Sequence, residues 1–301
     1  TVKIRDRYYV LDTMEFETGE GEEIKGISSK EEFLEIQPRG NYIVLNDIDL
    51  SGMTGATLRF GYDNFRFEGK IDFNGKKLIR DTSSNAEIFH TIGENGIIEN
   101  IVLDIKLNNS IEIIGLNGLF NKNYGIIKNI QLKLIETTNI ANNIIRLLGG
   151  SNYGTIENFI INYQKSLFGM KSLFTVSQNN GIIKNGYIIG ENIQATYEKN
   201  DNDARDVSAL VVNNNQNAEV YNVYSLVSAD IENYGTKETI SNLVINNNNN
   251  AKVRNVYSVG IGKNGYDLTG VSSTYGGPNV YNIGYANNAN IENNYYMADK
   301  M

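Results

Sequence analysis

The chain has 301 residues, of which 41% are hydrophobic and 21% charged, with a formal net charge of −8 and no cysteine. That length can bury a sizeable core, and acidity without a basic cluster argues against nucleic acid as a partner. Disulfides, thiol nucleophiles and Cys-ligated zinc are excluded, and no apolar run approaches the roughly 20 residues that span a bilayer.

Asn fills roughly one position in seven while Pro occurs twice, yet Ile, Val, Leu and Tyr remain plentiful, the reverse of a disordered composition. The Asn are therefore expected to be structural. Taken in chain order, residues 1–25 read as a linker with one strand, ending in acidic Glu20-Gly21-Glu22-Glu23. Residues 28–37 predict a short cap helix. Ser29 and Glu32 make a capping box, Phe33 and Ile36 share a face, and Pro38-Arg39-Gly40 stops it. Strand patterns follow in Asn41–Leu50 and Phe67–Leu78, the latter as two short strands and a tight turn.

From there the chain repeats. The unit is Asn-x-Gly-x-Ile-x-Asn followed by alternating apolar residues, as in Asn123-Tyr124-Gly125-Ile126-Ile127-Lys128-Asn129 and Asn152-Tyr153-Gly154-Thr155-Ile156-Glu157-Asn158. Further copies end at Asn100 and, as Asn180-Gly181-Ile182-Ile183-Lys184-Asn185, at Asn185; Ala218 and Ala251 replace Gly in the copies ending at Asn222 and Asn255, and two degenerate copies end at Asn282 and Asn293. The closing Asn recur every 27–33 residues, with one interval of 37. A small residue before two apolar ones marks a second strand upstream, as in Gly118-Leu119-Phe120. Period-two alternation with three short strands per unit excludes helical repeats, and a propeller blade needs four strands. The expected fold is all-β: a right-handed, single-stranded parallel β-helix over residues 26–301, with an N-terminal α-helical cap and coils over about residues 41–296. On the order of nine coils at ~4.8 Å each make a solenoid about 40 Å long. Asn100, Asn129, Asn158, Asn185, Asn222, Asn255 and Asn282 then form a ladder at one turn, where Asn tolerates a left-handed backbone. The strand-like end at Tyr295-Tyr296-Met297 carries no cap, so the native chain is expected to continue.

The cap helix, Gly40-Asn41-Tyr42 leading to Asp47-Ile48-Asp49-Leu50, and Phe67-x-Gly69-x-Ile71-Asp72-x-Asn74-Gly75 resemble the opening of surface β-helices of Gram-positive bacteria. The coils resemble GLUG repeats. Together, over about residues 26–295, they are most similar to the region ahead of the catalytic domain in zinc metalloproteases of the IgA1-protease type. The resemblance implies a secreted or wall-attached, non-catalytic spacer or substrate platform. It further implies a protein or glycoprotein substrate such as immunoglobulin or mucin, and zinc only in a downstream catalytic domain. A cell-wall adhesin or stalk is the alternative, and a glycan-cleaving β-helix enzyme a second one.

No catalytic residue is assigned within the chain. An HExxH zinc site needs two histidines and His90 is the only one, and no Gly-x-Ser-x-Gly elbow is present. Carboxylates at Asp47, Asp49, Asp72 and Asp104 are the candidates for a glycan-cleaving pair, with turn chemistry as the plainer reading. Two insertions break the period. Residues 195–207 carry Asp201, Asp203 and Asp206, candidate calcium ligands whose spacing misses the EF-hand loop. Residues 262–278 form the other. Since solenoid insertions often build the binding face, Asp203, Arg205, Tyr266, Asp267 and Tyr275 are the candidate binding residues. Tyr224 and Tyr257, both in Asn-Val-Tyr-Ser, are expected to stack in successive coils.

Overall fold

The computed structural model describes residues 2–4, 7–10, 15–18, 23–53, 66–81, 87–106, 116–136, 144–163, 167–170, 172–196, 206–232, 239–241, 244–248, 250–259, 279–281, 285–286, 290–292 and 295–297. Its strands pair in parallel from coil to coil and close into a β-solenoid, with one α-helix among the described residues.

Each coil contributes a short strand to one sheet and a bent strand to the other. In the bent strand Ile97–Lys106, residues 97–99 pair with Lys70–Asp72 and residues 102–106 with Lys77–Asp81. The next coil lays Ile126–Glu136 on both limbs in register, and Thr155–Tyr163, Ile182–Thr196, Glu219–Glu232 and Lys252–Val259 continue the stack. The bend lies at one residue. Asn100, Asn129, Asn158, Asn185, Asn222 and Asn255 all have φ between 51° and 59°, the left-handed region that Asn adopts more readily than other side chains. That residue also resets the alternation. Ile98 and Ile101 are three apart yet both buried, which a straight period-two strand cannot achieve.

Inward positions stack like on like. Ile71, Ile98, Ile127, Ile156, Ile183, Val220 and Val253 form one buried column, and Leu78, Leu103, Leu132, Ile161 and Ile188 another. Bulk is traded between neighbours: a Cβ at Gly186 would strike the ring of Phe159, its partner one coil earlier. Where the short sheet turns into the bent one, glycine is needed for a different reason. A Cβ at Gly125 would meet the Gly96 carbonyl, and one at Gly154 the Gly125 carbonyl, because backbone lies directly below backbone. Ala218 and Ala251 hold the equivalent place only after longer turns, closed by Ala218 N–H to Asn215 O (3.0 Å) and Ala251 N–H to Asn248 O (2.9 Å) and bent at Asn217 and Asn250.

The cap forms over Lys30–Leu34, with Ser29 Oγ accepting from Glu32 N–H (3.2 Å) and Glu32 Oε2 accepting from Ser28 N–H (2.6 Å). It inserts Phe33 and Ile36 over the end of the core, where the Phe33 and Phe73 rings lie 6.1 Å apart. Ahead of it, the stretch expected to be a linker with one strand holds Val2–Ile4, Arg7–Val10 and Glu15–Thr18 in an antiparallel meander. This joins Glu23–Ile27, whose far edge pairs in parallel with Asn41–Val44. Alternation in these strands is short and cut by charge, so it gives no periodic signal.

Candidate functional site

Six of the seven expected ladder residues stand in one column. Asn129 Nδ2 donates to Asn100 Oδ1 (2.8 Å), and the relay continues through Asn158 (3.2 Å), Asn185 (3.2 Å), Asn222 (3.1 Å) and Asn255 (3.3 Å). Asn100 Nδ2 closes it on Asp72 Oδ1 (2.8 Å). Asn282 lies outside the described residues. The column is solvent-facing from Asn129 onward.

A second ladder, not anticipated, lies inside. Asn123 Nδ2 donates to Asn152 Oδ1, Asn152 to Asn179 and Asn179 to Asn214, each at 2.8 Å, and all four residues are fully buried. Each amide also serves its own turn, as where Asn152 Nδ2 donates to Gly154 O (3.2 Å) and Asn179 Nδ2 to Gly181 O (3.2 Å). The Asn two before Gly in the repeat carries the signal, and at Asn179-Asn180-Gly181 a second asparagine adjacent to the glycine masks it. One position outward the column is mixed, with Tyr124 and Tyr153 stacked (4.7 Å, 9°) and the amides of Asn180, Asn215 and Asn248 linked beyond them.

Two of the candidate carboxylates serve their own turns and two bind the neighbouring coil. Asp47 accepts from Lys77 N–H (2.9 Å), Asp49 from Ser51 N–H (2.8 Å) and Asp72 from Asn74 N–H (2.7 Å), while buried Asp104 faces Lys77 Nζ (3.7 Å). His90 Nδ1 lies 2.7 Å from Oε1 of buried Glu87. Beside this pair Arg80 is fully buried, donating to Gly118 O (2.6 Å); burial depresses its guanidinium to about 10 against the opposing pull of Asp81 and Glu87. Asp201, Asp203, Arg205, Tyr266, Asp267 and Tyr275 lie outside the described residues; of Asp206 only the backbone is described, pairing with Thr239.

On the outer face of the first limb, charges alternate along the axis. Glu99 binds Lys70 (2.6 Å) and Lys128 (3.0 Å), Glu157 binds Lys184 (2.8 Å), and the Arg254 guanidinium lies 4.1 Å over the Tyr221 ring. Burial alone would raise the pKa of Glu99, but the two lysines outweigh it and hold the carboxyl below its ordinary value. A depressed carboxylate stabilises the fold above its unfolded-state pKa, about 4.3, and that contribution is lost as pH falls through the folded value. Glu99→Gln is therefore expected to flatten the decline of the urea midpoint between roughly pH 5 and pH 3. An unchanged slope would remove Glu99 from the acid response.

The outer face of the second limb is different. In register along the axis lie Val102, Gln131, Ile160, Tyr187, Tyr224 and Tyr257, beside the parallel column Asp104, Lys133, Asn162, Ile189 and Leu226. Charge stops at Lys133, and the later coils present an uncharged aliphatic and aromatic strip. Tyr224 and Tyr257 are neighbours as expected, but tilted rather than stacked, with centroids 6.3 Å apart and ring planes at 48°. This strip, flanked by the exposed Asn ladder, is the candidate contact surface. Among the described residues no helix is long and apolar enough to cross a membrane. Comparison with protein-family models, with curated proteins and with solved structures matches the chain to none of them.

Proposed function

We propose that the chain is a rigid, non-catalytic β-solenoid platform of an exported bacterial protein, the IgA1-protease-type zinc metalloprotease that its cap and coil motifs resemble. The observation that carries the platform reading is the unbroken run of axial columns. Among the described residues, two amide ladders, stacked Ile and Leu columns and alternating charges tie successive coils together, which suits a stiff spacer that holds a surface at a fixed distance. The uncharged strip supplies such a surface. Cleavage would belong to a separate domain carrying its own zinc ligands.

The test is made on the full-length gene product, with and without residues 26–295, against immunoglobulin and mucin-type glycoproteins. Zinc-dependent cleavage whose KM rises at least tenfold on deletion, with the catalytic domain still folded, is the expected result. A full-length product without an HExxH motif and without cleavage would instead favour the adhesin or stalk reading.

A further inference from the structure

The uncharged strip has the chemistry of a ligand site rather than of an exposed core. Tyr224 is 51% exposed, Ile160 43%, and Tyr187 and Leu226 38% each, although they sit on a sheet whose opposite face is closely packed. They are contiguous: register places Ile160, Tyr187, Tyr224 and Tyr257 one above another, with Ile189 and Leu226 alongside. Two residues before each lies an exposed ladder asparagine: Asn158, Asn185, Asn222 and Asn255. An amide has two N–H donors and two acceptor lone pairs, and the ladder takes one of each. The strip thus alternates, around the coil, an aromatic column with a column of spare amide donors and acceptors.

Two features select the occupant. The first is charge: the two columns carry none from Ile160 to Leu226 and Tyr257, which suits a neutral ligand. The second is size. Four coils span three steps of ~4.8 Å, so the strip covers at most a few hundred Å². A stable dimer needs about 800 Å² per partner. Tyrosines at successive coil heights instead match a ligand that repeats at nearly the same interval, presents C–H faces to aromatic rings and carries hydroxyls at its edges. A chain of β-linked pyranoses has those properties.

We propose that this strip binds a neutral β-linked polysaccharide lying along the solenoid axis, with successive sugar rings over Tyr187, Tyr224 and Tyr257 and their hydroxyls turned toward Asn185, Asn222 and Asn255. The inference rests on the chain being a contact platform but not on the domain it serves, so it is tested on this chain alone and without a cleavage readout. Affinity electrophoresis through gels containing mixed-linkage β-glucan or glycol chitin should retard the wild-type chain. The double variant Y187A/Y224A should bind at least tenfold more weakly, with its far-UV circular dichroism unchanged, while Y187F/Y224F, which keeps the ring faces, should stay within about threefold of wild type. Should the alanine pair perturb the fold, Y224Q alone is expected to give the same loss in part. The proposal is overturned if wild type is not retarded by either polymer, if alanine variants bind as well as wild type, if heparin binds through the same residues, or if sedimentation shows a dimer that Y224A dissolves.

Discussion

Replacing Asn152 with alanine is expected to destabilise the solenoid by about 3–5 kcal/mol, roughly two to three times the cost of the same change at Asn158. Both are ladder asparagines in the same coil, but Asn152 is fully buried. Its loss leaves Asn123 Nδ2 without the Asn152 acceptor, Asn179 Oδ1 with only the long bond from Gly181 N–H (3.3 Å) and Gly154 O without the Asn152 amide, in a place water does not reach. A vacated side-chain volume adds to that. At Asn158 the broken bonds, to Asn129 and from Asn185, are exposed and water replaces them. What remains there is the backbone: φ is 56°, and alanine in that region costs about 1–2 kcal/mol, which glycine does not incur. Urea unfolding should therefore order the variants as Asn152→Ala far below Asn158→Ala, with Asn158→Gly near wild type. Equal losses at positions 152 and 158 would show that burial does not govern the ladders.

Glu87→Ala is expected to cost about 3–5 kcal/mol, because removing one member of a buried ionic group strands the others. Glu87 is buried beside His90, and its charge opposes the burial penalty on both Arg80 and Arg146. Asp81, which also accepts from Gly52 N–H at 3.1 Å, opposes the penalty on Arg80 more strongly than Glu87 does and stays in place in this variant, so the stranded groups are chiefly His90 and Arg146. Pairing Glu87→Leu with Arg80→Met should recover part of the loss, since a matched apolar replacement removes the stranded charge with its partner. The measurement is a double-mutant cycle in thermal unfolding. Additive losses would mean that Glu87 supports something other than Arg80.

The solenoid was legible because its signals are local and repeated. Left-handed Asn at a fixed offset before an alternating strand marks Asn100 through Asn255, and Ser29 with Glu32 marks the cap. The buried ladder is a subtler case. Asn179 and Asn214 stand beside further asparagines, and only their height relative to the turn, set by turns of unequal length before Gly181 and Ala218, tells inward from outward. Tyr187 and Tyr224 alternate like any strand residue, so their exposure depends on which limb faces solvent, and the left-handed Asn shifts that parity. Arg80, Glu87 and Arg146 share no motif at all; Arg80 and Glu87 are close in sequence, and only coil stacking brings Arg146 to Glu87.

The two amide ladders also differ in direction. In the exposed one each residue donates to the coil before it, whereas in the buried one each donates to the coil after it. Their side-chain dipoles therefore oppose each other along the axis. An α-helix accumulates partial charge at its ends because its peptide dipoles all point one way. Here a coil that carries both ladders, such as that of Asn152 and Asn158, contributes one amide to each array, and the two point opposite ways. Duplicating such a coil therefore adds opposed side-chain dipoles, whereas each turn added to a helix adds aligned ones.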